Sequence, residues 1–127
     1  MRLVDLAEAI EGEILVGREQ TDLIVARAFA ADLLSDVLAL TDGDERTALI
    51  TGMTSPQVMR LAEILNIIAV VFVRGKLPPP TLIEHAERVQ IPILTTRKTM
   101  FETCGLMFAN GVQACNSEPP SDFEAQA

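Results

Sequence analysis

Ile67-Ile68-Ala69-Val70-Val71-Phe72-Val73 is the stretch that decides the fold. Its seven apolar residues stand in a row with no polar alternate. A strand with one wet face alternates apolar and polar residues, whereas a strand covered on both faces does not. The run therefore predicts a central strand of a parallel sheet. It is far too short to span a bilayer, which takes about 20 residues. Toward the N-terminus, Ala48-Leu49-Ile50 reads as a second buried strand. Ser55 follows as an N-cap and Pro56 takes the favoured first helical position. Val58, Leu61, Ala62 and Leu65 then form the apolar stripe of a helix over 56–66. Toward the C-terminus, Pro78-Pro79-Pro80 is a stiff connection, and Pro80 opens a helix over 80–90 that buries Leu82, Ile83, Ala86 and Val89. Pro92-Ile93-Leu94 is the next strand, and a helix over 97–110 stops at Gly111. Strands alternating with helices force parallel pairing and right-handed crossovers. The expected fold is α/β, with three α/β/α layers around a mostly parallel sheet.

The first third of the chain is less regular. Apolar positions 3, 6, 7 and 10 have helical spacing, and Gly12 follows as a stop. Glu13-Ile14-Leu15-Val16 reads as a short strand ended by Gly17, and Leu23-Ile24-Val25-Ala26 as a second whose direction is not readable. Asp32 heads a helix through Leu40, with Leu33, Leu34, Val37 and Leu38 on one face, before the polar turn 41–46. Residues 112–127 are polar, acidic and Pro-containing. The expected organisation is one domain over 1–111 and an acidic flexible tail over 112–127.

Composition narrows the function. The formal charge is −8, against the dense basic face that a nucleic-acid backbone requires. There is no Trp or Tyr and there are only five Phe, so stacking platforms for single strands are poorly supplied. The N-terminus carries charge where a signal peptide has its apolar core, and two cysteines make no disulfide framework. The expectations are a cytoplasmic protein with neither nucleic acid nor membrane as partner.

Against that acidic background, three loops share one chemistry. They are Thr51-Gly52-Met53-Thr54-Ser55-Pro56, Arg74-Gly75-Lys76 and Thr95-Thr96-Arg97-Lys98, and they hold four of the ten basic residues. Each follows a strand and precedes a helix. Such loops gather at the carboxyl edge of a parallel sheet, where open α/β folds bind ligands. Hydroxyls, free N–H groups at helix starts, and Arg or Lys all suit an anion. The candidate ligand-binding residues are therefore Thr51, Gly52, Thr54, Ser55, Arg74, Gly75, Lys76, Thr95, Thr96, Arg97 and Lys98. A plainer reading stands beside each group. Ser55 and Gly52 also serve as cap and turn, and Arg74-Gly75-Lys76 also serves as a solvated loop. Arg97 and Lys98 in a helix's first turn oppose its dipole by a few tenths of a kcal/mol up to about 1. A bound anion would offset that cost.

No catalytic, metal or cofactor site is expected. Asp32 and Asp36 share a helix face, but no further ligands stand at metal-site spacing, so Asp32 reads as a helix cap. His85, the one histidine, reads as a boundary residue with no visible partner. Cys104 beside Phe101 and Phe108 reads as a small hydrophobe, and Cys115 as an exposed tail residue. Gly105 inside a helix costs up to about 1 kcal/mol relative to Ala. Close packing, within the domain or against a second copy, would account for it.

The same residues carry a family resemblance. Thr51-Gly52-x-Thr54-x-Pro56-Gln57-Val58, Val70-Val71-Phe72-Val73-Arg74-Gly75-Lys76, Ile91-Pro92-Ile93-Leu94-Thr95-Thr96 and Met100-Phe101-Glu102-x-Cys104-Gly105 resemble the DRTGG domain family. Leu3-x-x-Leu6-Ala7-Glu8 and Ala31-Asp32-Leu33-Leu34-Ser35-Asp36 resemble the first half of that module, which is similar to the N-terminal domain of HPr kinase/phosphorylase. The likeness covers about residues 1 to 110. Where the family motif has Gly-Asp-Arg-Thr, this chain has Gly52-Met53-Thr54-Ser55. Where the motif ends in Gly-Gly, the chain has Arg74-Gly75-Lys76, a departure that looks like the stand-alone branch. The resemblance implies a regulatory or oligomerising module, found in larger members beside phosphotransacetylase domains or the CBS pairs of a pyrophosphatase. The chain has no Gly-x-x-x-x-Gly-Lys-[Ser/Thr] loop, so kinase chemistry does not carry over. The expected function is a non-catalytic regulatory module that binds a nucleotide or phosphate metabolite and forms a homodimer. The alternatives are a scaffold docking onto a separate metabolic enzyme or kinase and, last, a small enzyme acting on an anionic substrate.

Overall fold

A computed structural model describes residues 1–33, 35–36 and 46–115. Most of the helix expected after Asp32, the turn that follows it, and tail residues 116–127 lie outside the described residues. The element order is α1 (Leu3–Ala9), β1 (Glu13–Val16), β2 (Arg27–Ala30), β3 (Thr47–Thr51), α2 (Gln57–Ile64), β4 (Ala69–Phe72), α3 (Pro80–Val89), β5 (Ile93–Thr95), α4 (Met100–Ala109) and β6 (Gln113–Ala114).

The apolar run at 67–73 does become the centre of the sheet. The strand order is β1-β5-β4-β3-β2-β6. β4 pairs in parallel with β3 on one side and β5 on the other. Its residues alternate between two cores: Val70 and Phe72 join α2 and α3, while Ala69, Val71 and Val73 join α1 and α4. All five are fully buried. The missing polar alternate thus reflects helices on both faces, and the three layers follow.

Helix faces match the sequence periodicity. Leu3, Leu6, Ala7 and Ile10 are buried under α1. Val58, Met59, Leu61 and Ala62 are buried by α2, and Leu82 and Ala86 by α3. Pro80 stands at the start of α3. Gly111, at φ +97, ends the chain's path out of α4, as expected of a glycine past a helix end.

Three details differ from the sequence reading, and a fourth, the direction of β1, is one that the sequence does not fix. Leu23–Ala26 is not a ladder strand: Ile24 makes a single bridge to Arg2, and Val25 exchanges backbone hydrogen bonds with Met1. The run is apolar because it packs beside α1, and β2 begins at Arg27, parallel to β3. β1 is the antiparallel edge strand, with Glu13 opposite Thr95. Gln113–Ala114, expected in the tail, pairs in parallel with β2, and Cys115 is half-buried with its Sγ 3.9 Å from the Thr47 hydroxyl. The last helix starts at Met100 rather than 97. Thr99 caps it with a full capping box, its hydroxyl accepting from the Glu102 N–H while the Glu102 carboxylate accepts from the Thr99 N–H.

Candidate anion site at the carboxyl edge of the sheet

The three loops do converge, and backbone hydrogen bonds hold them in place. After β4 the chain turns through two successive left-handed residues, Arg74 at φ 63 and Gly75 at φ 69. The left-handed conformation costs a residue with a Cβ about 1–2 kcal/mol. The turn is held by bonds across to the next loop: Arg74 N–H donates to Lys98 O at 2.8 Å, and Gly75 N–H to Thr96 O at 2.9 Å. Thr96 N–H donates back to Phe72 O, and Val73 N–H to Thr51 O. The Thr96 hydroxyl, buried, donates to Ile10 O at 2.7 Å and accepts from the Lys98 N–H. Thr96 is therefore a brace between α1 and the loop after β5.

Gly75, Thr95, Thr96, Arg97 and Lys98 line one cleft of about 560 Å3. Its other walls are Glu11, Gly12, Glu13, Leu77 and Glu102. Thr51, Gly52, Thr54, Ser55, Arg74 and Lys76 are not among the lining residues. The expected single basic edge is thus two adjoining halves. The cleft is also not simply positive, since two cations face three carboxylates. Lys98 Nζ lies 2.7 Å from Glu11 Oε2, and that hydrogen bond and charge raise the lysine pKa above its ordinary value. The Thr99 backbone and hydroxyl bonds, with a lesser contribution from Lys98, hold the Glu102 carboxyl below its ordinary range. Among the described residues Arg97 makes no ion pair and is exposed, which leaves it the cation able to meet a ligand in the cleft.

Three expectations about this edge are corrected. Arg97 and Lys98 precede the cap of α4, so they do not oppose its dipole, and no anion is needed to offset such a cost. The N–H groups at the start of α4 are answered by Thr99 and Glu102 rather than left for a ligand. Ser55 makes no side-chain cap of α2, whose N-cap position is Pro56; the Ser55 carbonyl instead accepts from Val58 N–H.

The second half lies at the end of β3. Gly52 N–H donates to Asp32 Oδ1 at 2.7 Å, and the Thr51 hydroxyl lies 3.5 Å from the same oxygen. Arg74 Nη2 is 3.7 Å from Asp32 Oδ2. A Cβ on Gly52 would overlap the Arg74 guanidinium, so a glycine lets that side chain lie across the loop. Asp32, read from sequence as a helix cap, here bridges the loops after β3 and β4.

Sequence reasoning missed Glu11, Gly12, Glu13, Leu77 and Glu102. Only Glu102 had a usable signal, because Thr99-x-x-Glu102 is the pattern of a capping box. Glu11, Gly12 and Glu13 reach the cleft because β1 runs antiparallel beside β5, and Leu77 because it follows Gly75 and Lys76 in the loop after β4. Elsewhere, His85 Nε2 is 3.5 Å from Glu63 on the α2–α3 face. Cys104 is half-buried, and burial pushes its thiol pKa up, which makes it a poor nucleophile. Among the described residues no group of three or more His, Cys, Asp or Glu side chains could hold a metal ion, and no helix is long and apolar enough to cross a membrane.

Comparison with known proteins agrees with this architecture. Among solved structures the chain is similar to the CBS and DRTGG domains of the regulatory region of Clostridium perfringens pyrophosphatase, complexed with the activator diadenosine tetraphosphate. The TM-score is 0.71 at 15% identity, covering 98% of this chain and 58% of that one. This chain therefore spans little more than half of that structure's length, and the likeness is one of fold. No curated protein matches. The DRTGG domain model matches residues 5–109, nearly the whole described fold, and the chain belongs to the DRTGG domain family.

Proposed function

We propose that this chain is a non-catalytic regulatory module that binds a small phosphate-bearing anion, a nucleotide or phosphate metabolite, at the carboxyl edge of its sheet. One observation carries the reading. Hydrogen bonds between the loops after β4 and β5 fix a cleft at the edge where parallel sheets take ligands, and Arg97 projects there without a partner among the described residues. Preformed loops lower the ordering cost of binding. The three carboxylates of the cleft favour a ligand that is not uniformly anionic. A nucleotide, with a base and ribose beside its phosphates, fits that description. The similar Clostridium perfringens regulatory region, complexed with diadenosine tetraphosphate, supports the same class. Cytoplasmic residence and a likeness to the N-terminal domain of HPr kinase/phosphorylase belong to this proposal.

A thermal-shift panel of ATP, inorganic pyrophosphate and sugar phosphates tests it. A binder raises the melting temperature with the logarithm of its concentration, adding about 2.7 kcal/mol at 100 times its Kd. Arg97→Ala removes most of that shift and leaves the unliganded melting temperature unchanged, because Arg97 is exposed. A panel in which nothing shifts the protein contradicts the reading.

A second reading, self-association, rests on α4. Phe101 and Phe108 are 87% and 72% exposed, on one helix stripe with Gly105 between them. A Cβ on Gly105 would meet nothing within 4 Å, so packing inside the described domain does not explain that glycine. A copy of the chain, or a separate metabolic enzyme or kinase, would cover this stripe. Light scattering at tens of micromolar checks it: a dimer mass that Phe101→Asp reduces to a monomer is the expected result, and a monomeric wild type counts against it.

A further inference from the structure

The half of the edge at the end of β3 already holds an oxyanion, and that oxyanion belongs to the chain. Gly52 is buried, so its N–H needs an acceptor, and Asp32 Oδ1 supplies one at 2.7 Å. The same carboxylate's second oxygen faces Arg74 at 3.7 Å. That contact is loose, and both side chains are about half exposed, at 50% and 47%. An ion pair of this kind is screened by water and holds weakly. A buried donor with an adequate acceptor, beside a cation with a poor one, is an oxyanion site filled by a weak occupant.

We infer that the Gly52 N–H and the Arg74 guanidinium form an oxyanion subsite continuous with the cleft, in which Asp32 is the resident occupant that a phosphate group displaces. This rests on the reading given under Proposed function and adds how that site is regulated. The displacing group must offer one acceptor to the Gly52 N–H and a second to Arg74. Phosphate does so with more charge than a carboxylate, and Arg binds it through parallel N–H donors. Continuity comes from the backbone. Arg74 and Gly75 are neighbours, and a Cβ on Gly75 would point to Arg97 Cγ at 4.0 Å. The two arginines thus flank one glycine, one in each half of the edge. A ligand with two linked phosphoryl groups takes both, since the Arg74 guanidinium lies across the loop after β3, against Gly52. Asp32 follows β2 directly after Ala31, and its release leaves the Gly52 N–H and the Arg74 guanidinium to the ligand.

The test is calorimetric titration of inorganic pyrophosphate into wild type, Asp32→Asn, Asp36→Asn and Arg74→Ala. Asn at 32 keeps an acceptor for the Gly52 N–H, so the fold survives, but it no longer holds the arginine by charge. Removing a competing occupant tightens apparent binding by the reciprocal of the open fraction. Asp32→Asn is expected to tighten pyrophosphate binding by about fivefold or more. Asp36→Asn makes the same charge change on the same segment and is expected to alter it less than about twofold. Combining Asp32→Asn with Arg74→Ala is expected to abolish the gain. If wild type binds pyrophosphate through Arg97 but Asp32→Asn binds no tighter than Asp36→Asn, this inference fails and the broader reading stands. If neither wild type nor Asp32→Asn binds pyrophosphate, both fail.

Discussion

Phe72→Ala is expected to cost about 3–5 kcal/mol of unfolding free energy, the largest single-residue effect on this fold. Phe72 is fully buried on the central strand, between α2 and α3. Truncating its ring removes apolar burial and leaves a cavity in the cluster it shares with Val58, Val70 and Leu82, on a strand that hydrogen bonds to both neighbouring strands hold in place. A domain of this size has roughly 5–15 kcal/mol of stability in total. Chemical denaturation monitored by circular dichroism checks the cost. A midpoint that falls with an unchanged m-value supports it, and a loss below about 1 kcal/mol would mean that the central strand is not packed as described.

Gly12→Ala comes second, with an expected loss of about 1–3 kcal/mol and a deformed cleft. Gly12 joins α1 to β1, and a Cβ there would overlap the carbonyl oxygen of Thr95. That oxygen is backbone, part of β5 where Glu13 pairs with Thr95, so it cannot rotate away as a side chain would. Something must yield at the edge where Thr95, Thr96 and Gly12 all line the cleft. The variant should melt earlier and also bind pyrophosphate more weakly. Thermal melting with and without pyrophosphate separates the two effects. An Ala variant as stable as wild type, with the same ligand shift, would show that β1 and β5 are not in contact at this point.

How legible the chain was depended on what each segment touches. The 67–73 run was readable because burial on both faces leaves a one-dimensional trace, an unbroken apolar string. Periodicity also placed the buried faces of α1, α2 and α3. Leu23–Ala26 misled because apolarity reports burial, not the kind of partner: Val25 is buried beside α1 rather than in a ladder. The direction of β1 has no sequence trace, and so Glu11 and Glu13 could not be placed across from Arg97 and Lys98. The start of α4 was readable in principle. Thr99-x-x-Glu102 fixes it, whereas the hydroxyls and cations at 95–98 invited an earlier start. The converging loops were correctly gathered at one edge, since parallel topology alone does that. The division of that edge by Asp32 was not legible, because its carboxylate bridges two loops distant in sequence, while the helix it was expected to cap lies mostly outside the described residues.

The central claim is that the loops after β3, β4 and β5 form one anion site. Amide chemical-shift mapping with labelled protein and inorganic pyrophosphate tests it most directly, since each N–H reports its own surroundings. Saturable shifts concentrated at Gly52, Arg74, Gly75 and Thr95 through Lys98 are expected, with α2 and α3 unmoved. Shifts confined to the exposed stripe of Phe101 and Phe108, or no saturable shifts at all, would contradict it.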